Sequence, residues 1–276
     1  MIQRFIIRFK GGLGNQMFIY AFYCSLKARY PHAVYMFDTY NARQQHQGYE
    51  LMRIFHLKHK FNIVIFKLYQ FIFHDYETKM TIIQQSTFCT YDPILLDVKK
   101  QSVLFDGFWQ SYLFFNDIAE HIKKQFAFKE ALLNAMTKDC LANVVSRNSV
   151  SIHIRRGDYL SFGVDMENRM NYYNDAINYI KKKVNNPYWI FFSDDPQWVK
   201  EHFLIDDGFF VHWNSGEDSW QDMFLMSKCK HNIIANSTFS WWGAWLNNNP
   251  DKIVIAPTIW FDSESDDIVP SCWIRL

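Results

Sequence analysis

One segment constrains the fold of this chain more than any other: Ser149-Val150-Ser151-Ile152-His153-Ile154, running into Arg155-Arg156-Gly157-Asp158-Tyr159. Val150, Ile152 and Ile154 alternate with Ser151 and His153, which is the period of a strand. The strand carries two adjacent guanidinium groups to a Gly-Asp turn at its carboxyl end, where open α/β sheets bind their ligands. That period also places His153 on the more polar face. Guanidinium forks match phosphate oxygens, and two together balance a leaving diphosphate without a metal. An Arg-Asp turn in solvent would look the same if it stood alone.

The surrounding sequence repeats the strand-turn-helix pattern. Residues 4–9 alternate like a strand, Gly11-Gly12-Leu13-Gly14-Asn15-Gln16 turns into an amphipathic segment over 17–29, and a second strand over 33–37 ends at Asp38. This βαβ opening lacks the dinucleotide fingerprint, because Met17 stands where the third glycine belongs, and no Walker lysine is present. Gly12, Gly14 and Asn15 instead offer closely approachable N–H groups at a helix start, suited to an anion or a sugar hydroxyl. A further strand at Val103-Leu104-Phe105 leads into Asp106-Gly107-Phe108-Trp109-Gln110-Ser111, a turn expected to expose Trp109. A polar helix over 129–145 precedes the Arg-Arg strand. The domain boundary is expected there, giving domains 1–147 and 148–276.

In the second half a helix over 173–183 and a buried strand over 188–192 lead to Ser193-Asp194-Asp195-Pro196. Pro196 suits a first helical position, which makes Asp195 the expected N-cap. The adjacent carboxylates do not form a DxD metal motif. A helix over 217–230 buries Trp220, Met223 and Phe224 at i, i+3 and i+4 and leaves Asp222 off that stripe. Then come a short strand over 232–235, the hydroxyl-rich turn Asn236-Ser237-Thr238-Phe239-Ser240, and a helix over 241–246. Free N–H groups and hydroxyls at such a helix start suit an anion, although an ordinary Ser/Thr N-cap explains the turn nearly as well when taken alone. Together the arginines and this turn describe a diphosphate cradle. Asp222, an acceptor-only group, can read the N–H edge of a base.

Composition excludes several classes. The formal net charge is +1, which gives no electrostatic footprint for nucleic acid. The 5 cysteines form no CxxC or Cys/His cluster and read as reduced and mostly buried. Aromatic residues make up 18% of the chain, enough both to fill a core and to line a carbohydrate site. Early charges argue against a signal peptide, and no apolar run reaches the ~18 residues of a membrane span, so a cytoplasmic protein is expected. The apolar stretch 61–73, broken by Asn62, Lys67 and Gln70, reads as a buried helix rather than an interfacial one.

The segments His153 to Tyr159, Phe192-Ser193-Asp194-Asp195 and Asn236-Ser237-Thr238-Phe239-Ser240-Trp241-Trp242-Gly243-Ala244-Trp245-Leu246 resemble successive motifs of the bacterial α-1,2-fucosyltransferases, glycosyltransferase family 11. Residues 11–18 and 107–111 resemble the family's first half. The resemblance implies an α/β, GT-B-like fold of two Rossmann-like domains with a cleft between them, an acceptor-side first domain and a donor-binding second one. It implies GDP-β-L-fucose as donor, inversion at the anomeric carbon, no cofactor or required metal, and transfer to the 2-hydroxyl of a galactose in a surface glycan of O-antigen or capsule type. A different GDP-sugar or linkage on the same scaffold, or a weakly catalytic glycan- or nucleotide-binding protein, are the alternative readings.

By the same likeness Arg155 is expected on the diphosphate, Arg156 beside it, His153 on the guanosine portion, and Asp222 on the guanine amino edge. Asn236, Ser237, Thr238, Phe239 and Ser240 would wrap the phosphates, and Asp195 would support the donor site. The general base stays open among Asp158, Asp165, His153 and a first-half residue such as Glu50. His46, Glu50, Trp109 and Asp165 are the expected acceptor-side groups. A lipid-linked acceptor would bring the chain into peripheral contact with a membrane.

Overall fold

The computed structural model describes residues 2–85, 89–157, 166–203, 208–260 and 267–276, with the backbone alone at 166–168. Asp158 and Asp165 lie outside the described residues. Two compact units account for the chain, Met1–Lys129 with Ser265–Pro270, and Glu130–Glu264 with Ser271–Leu276. The division therefore falls before the polar helix Ala135–Ser146 rather than after it. That helix belongs to the second unit because its N-cap, Asn134, is anchored there: its amide donates to Gln221 Oε1 at 2.9 Å and its side chain caps the Thr137 amide at 2.8 Å. Residues 267–270 join the first unit through Asp267, which accepts from the Tyr91 amide and the Ser111 hydroxyl.

The first unit is built on a parallel sheet in the order β2-β1-β4-β3, with β1 Arg4–Arg8, β2 Val34–Asp38, β3 Thr81–Gln84 and β4 Ser102–Asp106. Helix Leu13–Arg29 crosses from β1 to β2 and is buried continuously from Leu13 to Leu26 except at Asn15. It is not the amphipathic helix expected of a surface crossover, because it is covered on more than one side. Phe22 meets Phe105 of β4 and also stacks on Trp109 at 4.1 Å, while Phe18 and Tyr20 meet Phe115 and Phe126. At the carboxyl ends of the strands Arg8 bridges Asp38 at 2.9 Å and Asp106 at 3.2 Å, and Lys10 reaches Asp106 at 2.7 Å. Burial works against ionisation of Asp106, but Lys10 and Arg8 outweigh it and hold the carboxyl below its usual range.

Helix Lys60–Ile72 departs from the expected buried helix. Ile63 and Phe66 are buried, while Phe61, Val64, Leu68, Phe71 and Ile72 are exposed. Among the described residues no helix is long and apolar enough to cross a membrane.

The second unit carries a wider parallel sheet, in the order β10-β9-β8-β5-β6-β7. Its strands are β5 Ser149–Ile154, β6 Tyr188–Ser193, β7 Phe209–Val211, β8 His231–Ile233, β9 Val254–Ala256 and β10 Ile274–Arg275. β5 is central and buried at every residue, as expected of a parallel strand covered on both faces. The alternation of Ser151 and His153 therefore does not mark a wet face. Ser151 accepts from Asn232 on β8 at 2.7 Å, and His153 is buried. One layer over the sheet is helix Met166–Lys183, whose Tyr173, Ala176, Ile177 and Ile180 share a core with Val150, Ile152 and Ile154.

Candidate functional site

The sheet register creates the site. Ile154 of β5 pairs with Ser193 of β6, so Arg155 and Asp194 leave adjacent strands side by side. Asp194 uses this placement to clamp the turn: its Oδ1 accepts from the Arg156 amide at 2.8 Å and its Oδ2 from the Gly157 amide at 3.0 Å. A Cβ at residue 157 would stand 2.9 Å from Asp194 Oδ2, which explains the glycine. Asp195 is the N-cap that Pro196 promised, with Oδ1 accepting from the Trp198 amide at 3.2 Å. Its other oxygen forms an ion pair with Arg156 Nη1, and the Arg156 guanidinium lies 4.4 Å from the centre of the Trp198 ring. Asp195 thus caps a helix and orients an arginine at once. Arg156 Nε is buried without a hydrogen-bond partner.

The hydroxyl-rich turn leads into helix Thr238–Trp245. Ser237 is its N-cap, accepting from the Phe239 amide at 3.3 Å. Thr238 and Phe239 keep partial exposure, whereas Ser240 is fully buried with its hydroxyl directed at the carbonyls of Ala235 and Ser237. Ser240 is thereby placed in the structure beneath the turn rather than among groups facing a ligand. Asn236 is also committed, accepting from Arg169 at 2.6 Å and donating to the Trp260 carbonyl at 2.6 Å. The His153 ring lies 5.8 Å from that of Phe239, which links the end of β5 to the start of this helix. Burial, reinforced by the positive charge of Arg155, lowers the His153 pKa to about 3. A neutral imidazole of such low basicity is a poor general base near neutral pH.

Asp222 lies in the first turn of helix Trp220–Lys228. Asn214 donates to its Oδ1 at 2.8 Å, and Asn214 is itself fixed by Asn134 and Thr137. The residue keeps some exposure, but protein surrounds its carboxyl, and burial pushes the pKa up to about 7 against the opposing Asn214 hydrogen bond. Within this helix Ser227 bonds the Phe224 carbonyl.

In the first unit the glycine turn is a stapled loop. Gly11 has φ +73, a left-handed conformation that suits glycine, and its amide donates to Gln45 Oε1 at 2.6 Å. The buried Gln16 side chain donates to the Gly11 and Gly48 carbonyls and accepts from the Glu50 amide at 2.9 Å. Asn15 accepts from Gln110 at 2.7 Å. The His46 ring lies beside Gly12, where a Cβ would stand in ordinary contact with it at 3.4 Å, and Gly14 is buried in the first helical turn. His46 is exposed beside this loop. Two acceptor-side expectations are corrected. Trp109 is fully buried, stacked on Phe22, because its left-handed backbone (φ 56) turns the ring inward. Glu50 is 3% exposed and paired with Arg53 at 3.0 Å, so it is no open base.

The family model for glycosyl transferase family 11 matches residues 2–274. The chain belongs to that family. Along its whole length this family 11 protein is 35% identical to an α-1,2-colitosyltransferase of Escherichia coli, an alignment covering 98% of each chain. It is 40% identical to the O-antigen biosynthesis glycosyltransferase WbnK of E. coli over 66% of this chain and 63% of that one. Human galactoside α-(1,2)-fucosyltransferase 1 is 26% identical over 61% of this chain and 49% of its own. Among solved structures, the fucosyltransferase NodZ from Bradyrhizobium superposes with a TM-score of 0.56 at 13% identity, over 88% of this chain and 92% of that one. The fold is therefore the two-domain, Rossmann-like GT-B type, and the protein is a fucosyltransferase-like glycosyltransferase acting on glycans.

Four residues of the candidate site carry positioning work that the sequence reading did not assign: Asp194, Trp198, Arg169 and Asn214. Asp194 precedes the N-cap Asp195 in sequence, and only the pairing of β5 with β6 brings it to the arginine turn. The others hold partners distant in sequence, and only the assembled sheet brings them close.

Proposed function

We propose that this enzyme transfers L-fucose from GDP-β-L-fucose to the 2-hydroxyl of a galactose residue in a surface glycan, with inversion and without a required metal. The observation carrying this reading is the clamped Arg155-Arg156-Gly157 turn at the end of β5, joined through His153 and Phe239 to the start of helix Thr238–Trp245. The second unit is assigned to the donor, the first to the acceptor. Arg155 and the partly exposed start of helix Thr238–Trp245 meet the diphosphate, while Arg156 is held beside them by Asp195 and Trp198. Ionised Asp222 accepts from the guanine amino edge. The acceptor oxygen bonds to the anomeric carbon as the carbon–oxygen bond to the β-phosphate breaks, and GDP leaves with the electron pair. Charge building on that diphosphate is what the arginines stabilise, and losing one such donor costs ~10²-fold or more in rate. The acceptor proton goes to a carboxylate, for which Asp158 and Asp165 are the sequence's candidates.

Colitose is the second reading for the donor, favoured by the full-length likeness to an α-1,2-colitosyltransferase. Colitose lacks the 3-hydroxyl of fucose, so one hydrogen-bonding group separates the two. A site that pairs with that hydroxyl rejects the deoxy sugar strongly, whereas a purely apolar pocket discriminates weakly. The deciding experiment is a transfer assay with GDP-fucose, GDP-colitose and GDP-mannose in parallel, with lactose as acceptor and EDTA present. A fucosylated product in EDTA supports the proposal; preferential use of GDP-colitose moves the assignment to the second reading. The likeness to an O-antigen biosynthesis glycosyltransferase supports a reaction at the cytoplasmic face of a membrane, where a lipid-linked oligosaccharide would present the acceptor.

A further inference from the structure

Helix Lys60–Ile72 is apolar on two opposite faces. Ile63 and Phe66 point into the first unit, where Phe66 packs with Tyr76, Ile6 and Leu104. At helical spacing on the other side stand Phe61 (73% exposed), Leu68 (58%), Phe71 (76%) and Ile72 (65%), together with Val64. Isolated exposed apolar residues need no explanation, but five on one helix face form a patch that water does not favour. Charge on the helix itself has a single sign, and the exposed carboxylates Asp75 and Glu77 lie beyond its carboxyl end. Lys58, Lys60 and Lys67 are exposed on or beside the helix, and no Asp or Glu occurs anywhere from residue 51 to residue 74.

A protein partner chosen for this face would need acidic groups around an apolar groove; an anionic bilayer supplies both features over any area. Aromatic and aliphatic side chains enter the acyl boundary, lysine stems lie along it, and their ammonium groups stay at the headgroups. The helix's 13 residues suit lying in that plane and are too few to span it.

We propose that helix Lys60–Ile72 is a membrane-docking element that seats its outer face on an anionic lipid surface. The surface lies in the first unit, so the proposal does not depend on which sugar the donor carries.

The test is co-sedimentation of the full chain with phosphatidylcholine vesicles, with and without phosphatidylglycerol, for the wild type and two variants. One variant is Phe61→Ser/Leu68→Ser/Phe71→Ser and the other Lys60→Glu/Lys67→Glu. All five positions are exposed, so folding should survive, and GDP binding by calorimetry verifies this. The wild type is expected to sediment with the anionic vesicles and to be released by salt. The apolar variant should lose at least roughly tenfold in partitioning, and removing the two lysines should cost roughly tenfold or more. Retention of the wild type in the supernatant with every vesicle, or unchanged sedimentation of the apolar variant, overturns the proposal. So does a dimer in sedimentation equilibrium that the apolar variant abolishes while vesicles leave the wild type unbound, since the face would then serve a second copy.

Discussion

Asp194 Oδ1 lies 2.8 Å from the Arg156 amide, so the strand next to β5 fixes the turn that carries the arginines. Its second oxygen takes the Gly157 amide at 3.0 Å. Asp194 is exposed, and its worth to global stability is therefore small. Its worth to binding is larger, because an unclamped turn must be ordered by the ligand itself. Asp194→Ala is expected to weaken GDP binding by about tenfold with little change in melting temperature. Asp194→Asn retains one acceptor oxygen and should fall between. Calorimetry with GDP, alongside thermal melts, separates the two effects.

Arg155 and Arg156 should respond differently to substitution. Arg155→Ala removes charge from the expected diphosphate position and should lower kcat by ~10²-fold or more, with the fold intact. Arg156 is bound to Asp195 and stacked near Trp198, an arrangement that uses a planar fork and not merely a positive charge. Arg156→Lys is therefore expected to be impaired despite keeping its charge, and Trp198→Leu to be impaired in the same direction. Steady-state rates for the four proteins check this; an Arg156→Lys enzyme equal to wild type would refute the positioning role.

Asp222 predicts a pH dependence with a definite sign. Burial raises its folded pKa to about 7, above an unfolded value near ~3.9. The folded state then holds a proton that the unfolded state has lost between those values. Its stabilising contribution is fully present below the unfolded pKa and is lost as pH rises through about 7. Binding runs the opposite way under the proposed guanine contact, because only the ionised carboxylate is purely an acceptor for the guanine amino edge. GDP affinity should climb as pH rises through 7, with proton release. Asp222→Asn should flatten both curves, and denaturant melts and GDP titrations across this range measure them. A wild-type affinity independent of pH would argue against the guanine contact.

The fold was legible where local chemistry and burial agree. The strand leading to Arg155 and the Asp195-Pro196 cap appear where the sequence placed them, since each is decided by neighbours in the chain; the hydroxyl-rich segment does open a helix, but that helix starts at Thr238, three residues before the expected 241. Burial was harder to read. His153 alternates with isoleucines as though it faced solvent, but β5 is covered on both sides, and period two carries no information in such a strand. Trp109 is expected to be exposed on its turn, but with a left-handed backbone its ring stacks on Phe22 and is buried. The helix over 60–72 failed in the reverse sense: its pattern has two apolar faces, and nothing in sequence tells which of them finds protein. The compact units divide before residue 147 for a related reason, because Asn134 and Asp267 are claimed by partners 87 and 156 residues away.

Gly243 supplies the last prediction. Helices Thr238–Trp245 and Trp220–Lys228 approach so closely that a Cβ on residue 243 would stand 2.8 Å from Met226 Cβ and 3.2 Å from its sulfur. Both helices belong to the proposed donor site: one begins at the hydroxyl-rich turn and the other carries Asp222. Gly243→Ala must push them apart, at a cost of about 1–3 kcal/mol for overpacking. The same displacement moves Thr238 and Asp222 relative to each other, so GDP affinity should fall together with stability. Truncating the opposing side chain in Gly243→Ala/Met226→Ala removes the sulfur but leaves the Cβ contact. Relief should therefore be partial, and the two substitutions less than additive. Denaturant unfolding of the two single variants and the double one gives the coupling. Strict additivity would mean that the helices do not meet at this point.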